Sequence, residues 1–246
     1  MTAMYCKGKE PFTPQRVLAI GAHADDIDFG ASGTIATWAK DGAHIEYVVV
    51  TDGCKGTSDH SMSPEQLIAT RQTEQRAAAQ TLGAADVHFL SYKDGELEVT
   101  MALKKDLARL IRQVRPDTVI TLDPTMVYSS QFGTINHPDH RAVGQATLDA
   151  IYPLSRDHLS FPDLFTDEHL EPFKVAHALL IHLDKQDCLV DISGTLDLKL
   201  TALAQHASQF TDIDKVGEFV KSHAAELGKT AGVSYAEGFV RLDLPE

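Results

Sequence analysis

Short apolar runs alternate along the chain with longer segments of helical periodicity. Short runs rich in Val, Ile and Leu predict buried β-strands. These runs lie at residues 16–22, 44–51, 86–91, 118–122, 176–183, 189–191 and 237–244. Helices are predicted at residues 33–40, 64–82, 101–114, 138–151, 194–207 and 214–227. The clearest helix boundaries are Ser63-Pro64-Glu65-Gln66, which has the pattern of an N-cap, and Gly83, where the same helix should end.

This alternation predicts an α/β fold. Strands that alternate with helices form parallel units, and right-handed crossovers then cover both faces of the sheet. No linker rich in Pro, Gly or Ser divides the chain, so we predict a single domain over residues 1–246 with a largely parallel sheet. Ligands of open α/β sheets bind at the carboxyl ends of the strands. Candidate chemistry should therefore directly follow the predicted strands.

Composition and charge exclude several classes of protein. The formal net charge of −13 argues against a nucleic-acid partner, which requires a basic surface. Apolar runs are far shorter than the ~20 residues of a membrane span, and residues 1–14 lack the apolar segment of a secretory signal. Three scattered cysteines, Cys6, Cys54 and Cys188, imply no disulfide framework, so we expect a cytoplasmic protein.

Two polar clusters follow predicted strands. His23-Ala24-Asp25-Asp26 follows the first strand, and His137-Pro138-Asp139-His140 lies beyond the strand at residues 118–122. Both clusters should meet at the carboxyl edge of the sheet. Two histidines and a carboxylate are a common catalytic zinc set, and a neighbouring carboxylate could act as a base. Alternatively, each cluster alone could be an ordinary charged helix start.

Residues 17–34 resemble the opening motif of the LmbE-like, or PIG-L, family of zinc-dependent N-acetylglucosaminyl deacetylases. The usual motif is Ala-His-Pro-Asp-Asp, followed by an acidic residue and Gly-x-x-Gly-Thr. Here Ala24 replaces the proline, which loosens the turn but removes no ligand. Residues 137–140 are similar to the second metal motif of the family. Residues 51–53, 70–83 and 206–209 extend the resemblance over most of the chain.

The resemblance implies a Rossmann-like three-layer fold, frequent assembly into hexamers, and removal of an acyl group, usually acetyl, from the 2-amino group of a glucosamine unit. It assigns the zinc ligands to His23, Asp26 and His140. It implies that Asp25 is the general base. His137 would stabilise the oxyanion or act as an acid.

Four further side chains are candidate substrate contacts, and each has a structural alternative. The resemblance implies that Arg71 holds substrate hydroxyls, although on its helix it could form an ordinary surface ion pair. Asp52 could line the pocket or cap a turn, and Tyr128 lies in a polar loop that could border the substrate or be merely solvated. His206 could reach the pocket or sit at a helix end. Asp28 could accept a hydrogen bond from a ligand histidine or be a charge at a helix start.

The sequence thus predicts a zinc-dependent hydrolase that removes the acetyl group of an N-acetylglucosamine-type sugar, with metal-bound water as the nucleophile and Asp25 as its base. Another divalent metal would suit the same ligands. One alternative is the same chemistry on another amide, such as a thiol-cofactor precursor, a thiol conjugate or an acylated antibiotic. Another is a sugar-binding protein without activity. A nucleotide-binding protein is disfavoured because no glycine fingerprint is present.

Overall fold

The central sheet of the protein confirms the predicted α/β class. A computed structural model describes residues 3–245. The strands are β1 Met4–Cys6, β2 Arg16–Gly21, β3 His44–Thr51, β4 Asp86–Tyr92, β5 Thr118–Leu122, β6 Tyr128–Ser129, β7 Thr134–Ile135, β8 His177–Ile181, β9 Cys188–Asp191 and β10 Ala236–Asp243. The helices are α1 Asp26–Lys40, α2 Pro64–Leu82, α3 Met101–Val114, α4 Pro138–Asp149, α5 Pro162–Thr166, α6 Leu196–Leu203 and α7 Ile213–Ala231. A π-helical segment, Ala150–Leu154, continues α4.

The sheet has a parallel part and an antiparallel part. Its strand order is β1-β9-β10-β8-β5-β2-β3-β4. The strands from β8 to β4 pair in parallel, whereas β10, β9 and β1 pair antiparallel. The predicted parallel sheet is therefore confirmed for the part that carries the two polar clusters. Beside it, β6 and β7 form a small hairpin within the polar loop that contains Tyr128.

Helices cover both faces of the sheet, and the side chains of β2 show how. Leu18 and Ile20 pack with α3 and α4 in one hydrophobic core. Val17 and Ala19 point to the opposite face and pack with α1, α2 and α6 in a second core. Because successive side chains of a strand point to opposite faces, a continuous apolar run indicates a strand buried on both sides.

Helix α1 begins at Asp26, ahead of the predicted start at residue 33. Gly30 and Gly33 lower the helix propensity of this segment, so the first two turns of α1 were not predicted from the sequence. Both glycines are needed for close packing. A Cβ atom at Gly30 would lie 2.6 Å from the side chain of Ile181, and one at Gly33 would lie 2.9 Å from that of Ile192. The early start makes Asp26 the first residue of the helix.

The expectation of no disulfide is wrong. Cys6 and Cys188 are bonded to each other, and Cys54 is free. Strand β1, which was not predicted from the sequence, lies antiparallel to β9 and places Cys6 directly opposite Cys188. The pairing thus depends on a strand register that residue spacing does not reveal. In the part of the chain that the structure describes, no helix is both long and apolar enough to cross a membrane.

Candidate metal and catalytic site

The two polar clusters meet at the carboxyl edge of the parallel strands. His23 and Asp26 follow β2, and His140 lies in the first turn of α4 beyond β5. Nδ1 of His23 is 3.3 Å from Nε2 of His140, although 117 positions separate the two residues in the chain. Asp25 and His137 lie beside them and line the same cavity. We call His23, Asp25, Asp26, His137 and His140 the rim cluster.

The three predicted ligands have the spacing of a metal site. Nε2 of His140 lies 3.0 Å from Oδ1 of Asp26. Nδ1 of His23 lies 3.5 Å from Oδ2 of Asp26 and 3.3 Å from Nε2 of His140. Ligand atoms at 2.0–2.2 Å from a tetrahedral ion are separated by roughly 3.3–3.6 Å. His140 faces Oδ1 of Asp26 and His23 faces Oδ2, so the three side chains are close enough to share a divalent metal ion, and His137 lies within 4.8 Å of both histidines.

Hydrogen bonds around the site orient the ligands. Nδ2 of Asn136 donates to the carbonyl of Met126, so its Oδ1 is left to face Nδ1 of His140 at 2.9 Å. Because an amide oxygen only accepts, Nδ1 of His140 carries the proton and Nε2 presents a lone pair to the metal position. Oδ2 of Asp26 accepts backbone N–H bonds from Ala22 and His23, which fix the carboxylate.

Two carboxylates near His23 were not assigned a role at the site from the sequence. Nε2 of His23 lies 3.2 Å from Oδ1 of Asp94 and 3.3 Å from Oδ2 of Asp139. Asp139 is buried and also accepts N–H bonds from Gly95 and Leu97. Asp94 follows β4 at the same edge of the sheet, so the strand-end rule that pointed to the two clusters could also have found it.

The electrostatics of the rim cluster favour a bound cation. Burial lowers the pKa of His23, but hydrogen bonds to Asp139, Asp26 and Asp94 more than compensate and raise it to about 12. Burial raises the pKa of Asp94, yet the interaction with His23 brings it to about 2. Several carboxylates thus share one histidine. Since a histidine ligates a metal only in its neutral form, a bound metal ion would replace that proton.

Asp25 is held in an unusual backbone conformation. Its φ is 93° and its ψ is −29°, in the left-handed region that residues other than glycine seldom adopt. The backbone N–H of Asp25 donates to Oε1 of Gln75 at 3.1 Å, and the preceding carbonyl of Ala24 accepts from Gln209 at 2.6 Å. Burial and the charge of Asp26 raise the pKa of Asp25 well above its usual value. Hydrogen bonds from distant segments therefore hold the turn in which Ala24 replaces the usual proline.

His137 occupies the N-cap of α4. Its Nδ1 accepts the backbone N–H of Asp139 at 3.2 Å, and its ring packs edge-on against that of His23, with 4.7 Å between the centroids. The side chain is 41% exposed and faces the cavity. Burial and the charge of His23 lower its pKa. His137 is thus presented to the cavity by the helix start, as Pro138 at the first helical position would favour.

Two of the predicted substrate contacts, Arg71 and Asp52, do not line this cavity. Arg71 is buried and donates to the carbonyls of Gly53 and Lys55. Asp52 is buried and accepts from Lys93 at 2.9 Å and from the backbone N–H of Cys54. These two side chains hold the loops that follow β3 and β4, and their role as substrate contacts stays a prediction.

His206 also does not line the cavity, and its role as a substrate contact stays a prediction. It is fully buried, and its Nε2 lies 2.7 Å from Oδ2 of Asp28. Asp28 is also fully buried and accepts from the hydroxyl of Tyr47 at 2.9 Å and from Nε2 of Gln75 at 2.8 Å. We call Asp28, Tyr47, Gln75 and His206 the buried cluster. His206 therefore supports the scaffold beneath Asp25 and does not reach the cavity. Tyr128, which is 64% exposed on the β6–β7 hairpin, stays a predicted contact.

Comparisons with known proteins agree with this geometry. Residues 18–151, which are more than half of the chain, match the family model of PIG-L, GlcNAc-PI de-N-acetylase. The diacetylchitobiose deacetylase of Thermococcus kodakarensis is 33% identical over 94% of this chain and 85% of its own. A probable N-acetyl-alpha-D-glucosaminyl L-malate deacetylase of Bacillus anthracis is 28% identical over 91% of this chain and 92% of its own.

A solved structure supports the same assignment. The N,N'-diacetylchitobiose deacetylase from Pyrococcus horikoshii superposes with a TM-score of 0.85 and 34% identity, and the match covers 94% of this chain and 84% of that one. The sequence resemblance is thereby confirmed over nearly the whole chain, and it includes the segments that build the rim cluster. This chain belongs to the PIG-L family of de-N-acetylases.

Proposed function

We propose that this protein is a metal-dependent hydrolase that removes the acetyl group from the 2-amino group of an N-acetylglucosamine-type sugar. The observation that carries the proposal is the close approach of His23, Asp26 and His140, with Asp25 beside them, in a chain of this family. Relatives named for diacetylchitobiose and for N-acetylglucosaminyl malate support an amino-sugar amide as the substrate. Zinc is the proposed ion, because it favours three protein ligands of this type at a catalytic site.

Each residue of the rim cluster has a distinct task in this proposal. His23, Asp26 and His140 would hold the ion, which when bound lowers the pKa of water and polarises a carbonyl group. Asp25 accepts a proton from the attacking water as the new C–O bond forms. His137 donates a hydrogen bond to the oxyanion of the tetrahedral intermediate. Asp25 then returns the proton to the amine, the C–N bond breaks, and acetate and the free amine leave.

The rival functions differ in which residues of the rim cluster they would need. The same chemistry on another amide would retain every member of the rim cluster and differ only in the cavity. A sugar-binding protein without activity would have no need for Asp25, which the fold holds in a strained conformation at the cavity. The geometry around Asp25 therefore favours an enzyme.

Acetate release tests the proposal directly. Protein loaded with zinc would be incubated with N-acetylglucosamine, diacetylchitobiose and N-acetylglucosaminides with acidic aglycones, with and without a chelator. We expect release of acetate from at least one substrate, and its loss with the chelator. Parallel loading with manganese, iron and cobalt would identify the metal that supports turnover. Absence of release from every substrate by metal-loaded protein would reject the acetylglucosamine assignment.

Assembly and cellular location are also proposals. The family resemblance implies a homo-oligomer, and a hexamer in particular. Exposed apolar side chains on the β6–β7 segment support a contact between copies: Ile135 is 82%, Tyr128 is 64% and Val127 is 52% exposed. Light scattering after size exclusion would give the mass. We keep the cytoplasmic location as a proposal, against which the Cys6–Cys188 disulfide weighs. Thiol labelling of protein taken directly from cells tests it.

A further inference from the structure

The cavity at the rim cluster is much larger than an acetyl group requires. It has a volume of about 430 Å³ and extends from Asp25, His137 and His140 towards β10. The end beside the rim cluster is polar, whereas the walls beyond it are mainly apolar. Those walls are formed by Phe29, Met126, Leu183, Phe210, Phe219 and Leu227.

The apolar walls are incompletely covered. Phe219 is 42% exposed, and Phe29, Met126 and Leu183 are half-buried. Large apolar side chains that face a concave space lose contacts which a ligand could restore. Burial of one methylene group strengthens binding by up to about fourfold. An apolar ligand that fills this space would therefore gain affinity from each carbon atom it buries.

Charged groups at the far end of the cavity already have partners. Lys199 donates to Glu237 at 2.6 Å and to the carbonyls of Asp28 and Phe29. Glu237 also accepts the backbone N–H groups of Gly33 and Thr34. Within residues 3–245, no arginine lines the cavity and Lys199 is its one lysine. An anionic group in this part of the cavity would thus find no unpaired lysine or arginine among the described residues.

Aromatic rings shape the wall formed by α7. Phe29 of α1 stacks near Phe219 of α7, with ring centroids 6.1 Å apart. Phe132, from the segment between β6 and β7, packs edge-on against Phe219 with centroids 5.7 Å apart. Three separate elements therefore meet at this wall, and their contacts give it a defined shape.

We propose that this cavity binds an uncharged, apolar substituent of the substrate, while the amide bond is cleaved at the rim cluster. The inference rests on the proposed function, and it narrows the substrate to an amino-sugar amide that carries such a group. The substituent could be attached in two ways, as a longer acyl chain on the nitrogen or as an apolar aglycone on the sugar. Both present the same hydrocarbon to the same walls.

Two series of substrates separate these attachments. The first series is N-acetyl-, N-butanoyl- and N-hexanoylglucosamine, and the second is the methyl and hexyl β-glycosides of N-acetylglucosamine. Amine release would be measured with zinc-loaded protein. We expect kcat/KM to rise at least tenfold with chain length in one series. Leu227→Trp should remove most of that gain because the indole fills the cavity. Lys221→Ala, at an exposed position of the same helix, is the matched control and should retain the gain.

A binding measurement without an amide distinguishes the two proposals. Titration calorimetry would compare hexyl and methyl β-glucoside, neither of which can be deacylated. We expect the hexyl glucoside to bind at least tenfold more tightly, and Phe219→Ala, at a partly exposed position that should tolerate truncation, to reduce that difference. Tight hexyl binding without hydrolysis of any amide would overturn the proposed function and support the apolar subsite. Equal binding of the two glucosides, together with no rise in kcat/KM along either substrate series, would overturn the subsite, even if acetate is released.

Discussion

The rim cluster and the buried cluster contain the same kinds of side chain but differ in what surrounds them. Both combine histidine with aspartate near the start of α1. In the buried cluster, Asp28 and His206 are fully buried and paired at 2.7 Å. At the rim cluster, the carboxylates of Asp26, Asp94 and Asp139 all lie near His23. Asp25 and His137 face a cavity.

This difference shows how catalysis and stability divide the same chemistry. Carboxylates that have all their partners inside the protein hold segments together. Several carboxylates around one histidine favour the binding of a cation. Residues beside them that face a cavity can act on a substrate. Burial and partners therefore separate the two roles, whereas residue type does not.

The largest effect should come from Asp25→Asn. An asparagine keeps the shape of the side chain but cannot accept the proton of water, so kcat should fall by about 10²–10⁴-fold. Metal content, measured by atomic absorption, should stay at the wild-type level because the ligand set is intact. Turnover within a few-fold of wild type would contradict the role of general base.

His206→Ala tests the buried cluster. The change removes a partner of buried Asp28 and leaves a small cavity, so the free energy of unfolding should fall by about 2–4 kcal/mol. Urea unfolding at fixed zinc would measure it, with exposed His158→Ala as the control. A rise in KM with unchanged stability would instead support the role of His206 as a substrate contact, as predicted from the sequence.

Gln75→Met tests whether the buried cluster positions the rim cluster. Gln75 accepts the backbone N–H of Asp25 and donates to Asp28, so its loss should relax the left-handed turn that positions Asp25. We expect kcat to fall by about three- to tenfold with little change in KM, since a strained backbone of this kind costs about 1–3 kcal/mol. Exposed Gln80→Ala on the same helix is the control. A loss of stability in Gln75→Met without any change in kcat would indicate that Gln75 has a purely structural role.

The smallest effect should come from a carboxylate that contacts two histidines near the protein surface. Glu46 lies 2.7 Å from Nε2 of both His44 and His88. Burial raises the pKa of Glu46, but its hydrogen bonds to His88 and His44 outweigh this and lower it. A lowered pKa in the folded state adds stability above the unfolded pKa of about 4.3 and loses it as the pH falls through the folded value.

Glu46→Gln should therefore lower the free energy of unfolding by less than about 1 kcal/mol at pH 6, because solvent screens the interactions of Glu46 with the two histidines. The difference from wild type should shrink as the pH falls through the folded pKa of Glu46. Thermal unfolding across this pH range would measure it. A difference that grows towards low pH would reverse the sign of the argument and reject it.

The sequence by itself determined the α/β class, the central strands and the ends of α2 and α3. These features depend on local signals, namely apolar periodicity, the N-cap at Ser63 and the glycine at residue 83, which act within a few residues. It also located both halves of the rim cluster, because the carboxyl ends of parallel strands share one edge. The family resemblance then supplied the roles of individual residues.

Only the tertiary structure decided which polar side chains face the cavity. Arg71, Asp52 and His206 are each buried among partners from other segments of the chain. The start of α1 and the Cys6–Cys188 pair likewise depend on packing and strand register. Burial and hydrogen-bond partners arise from contacts between segments far apart in the chain, and the pattern of residues along it does not specify those contacts.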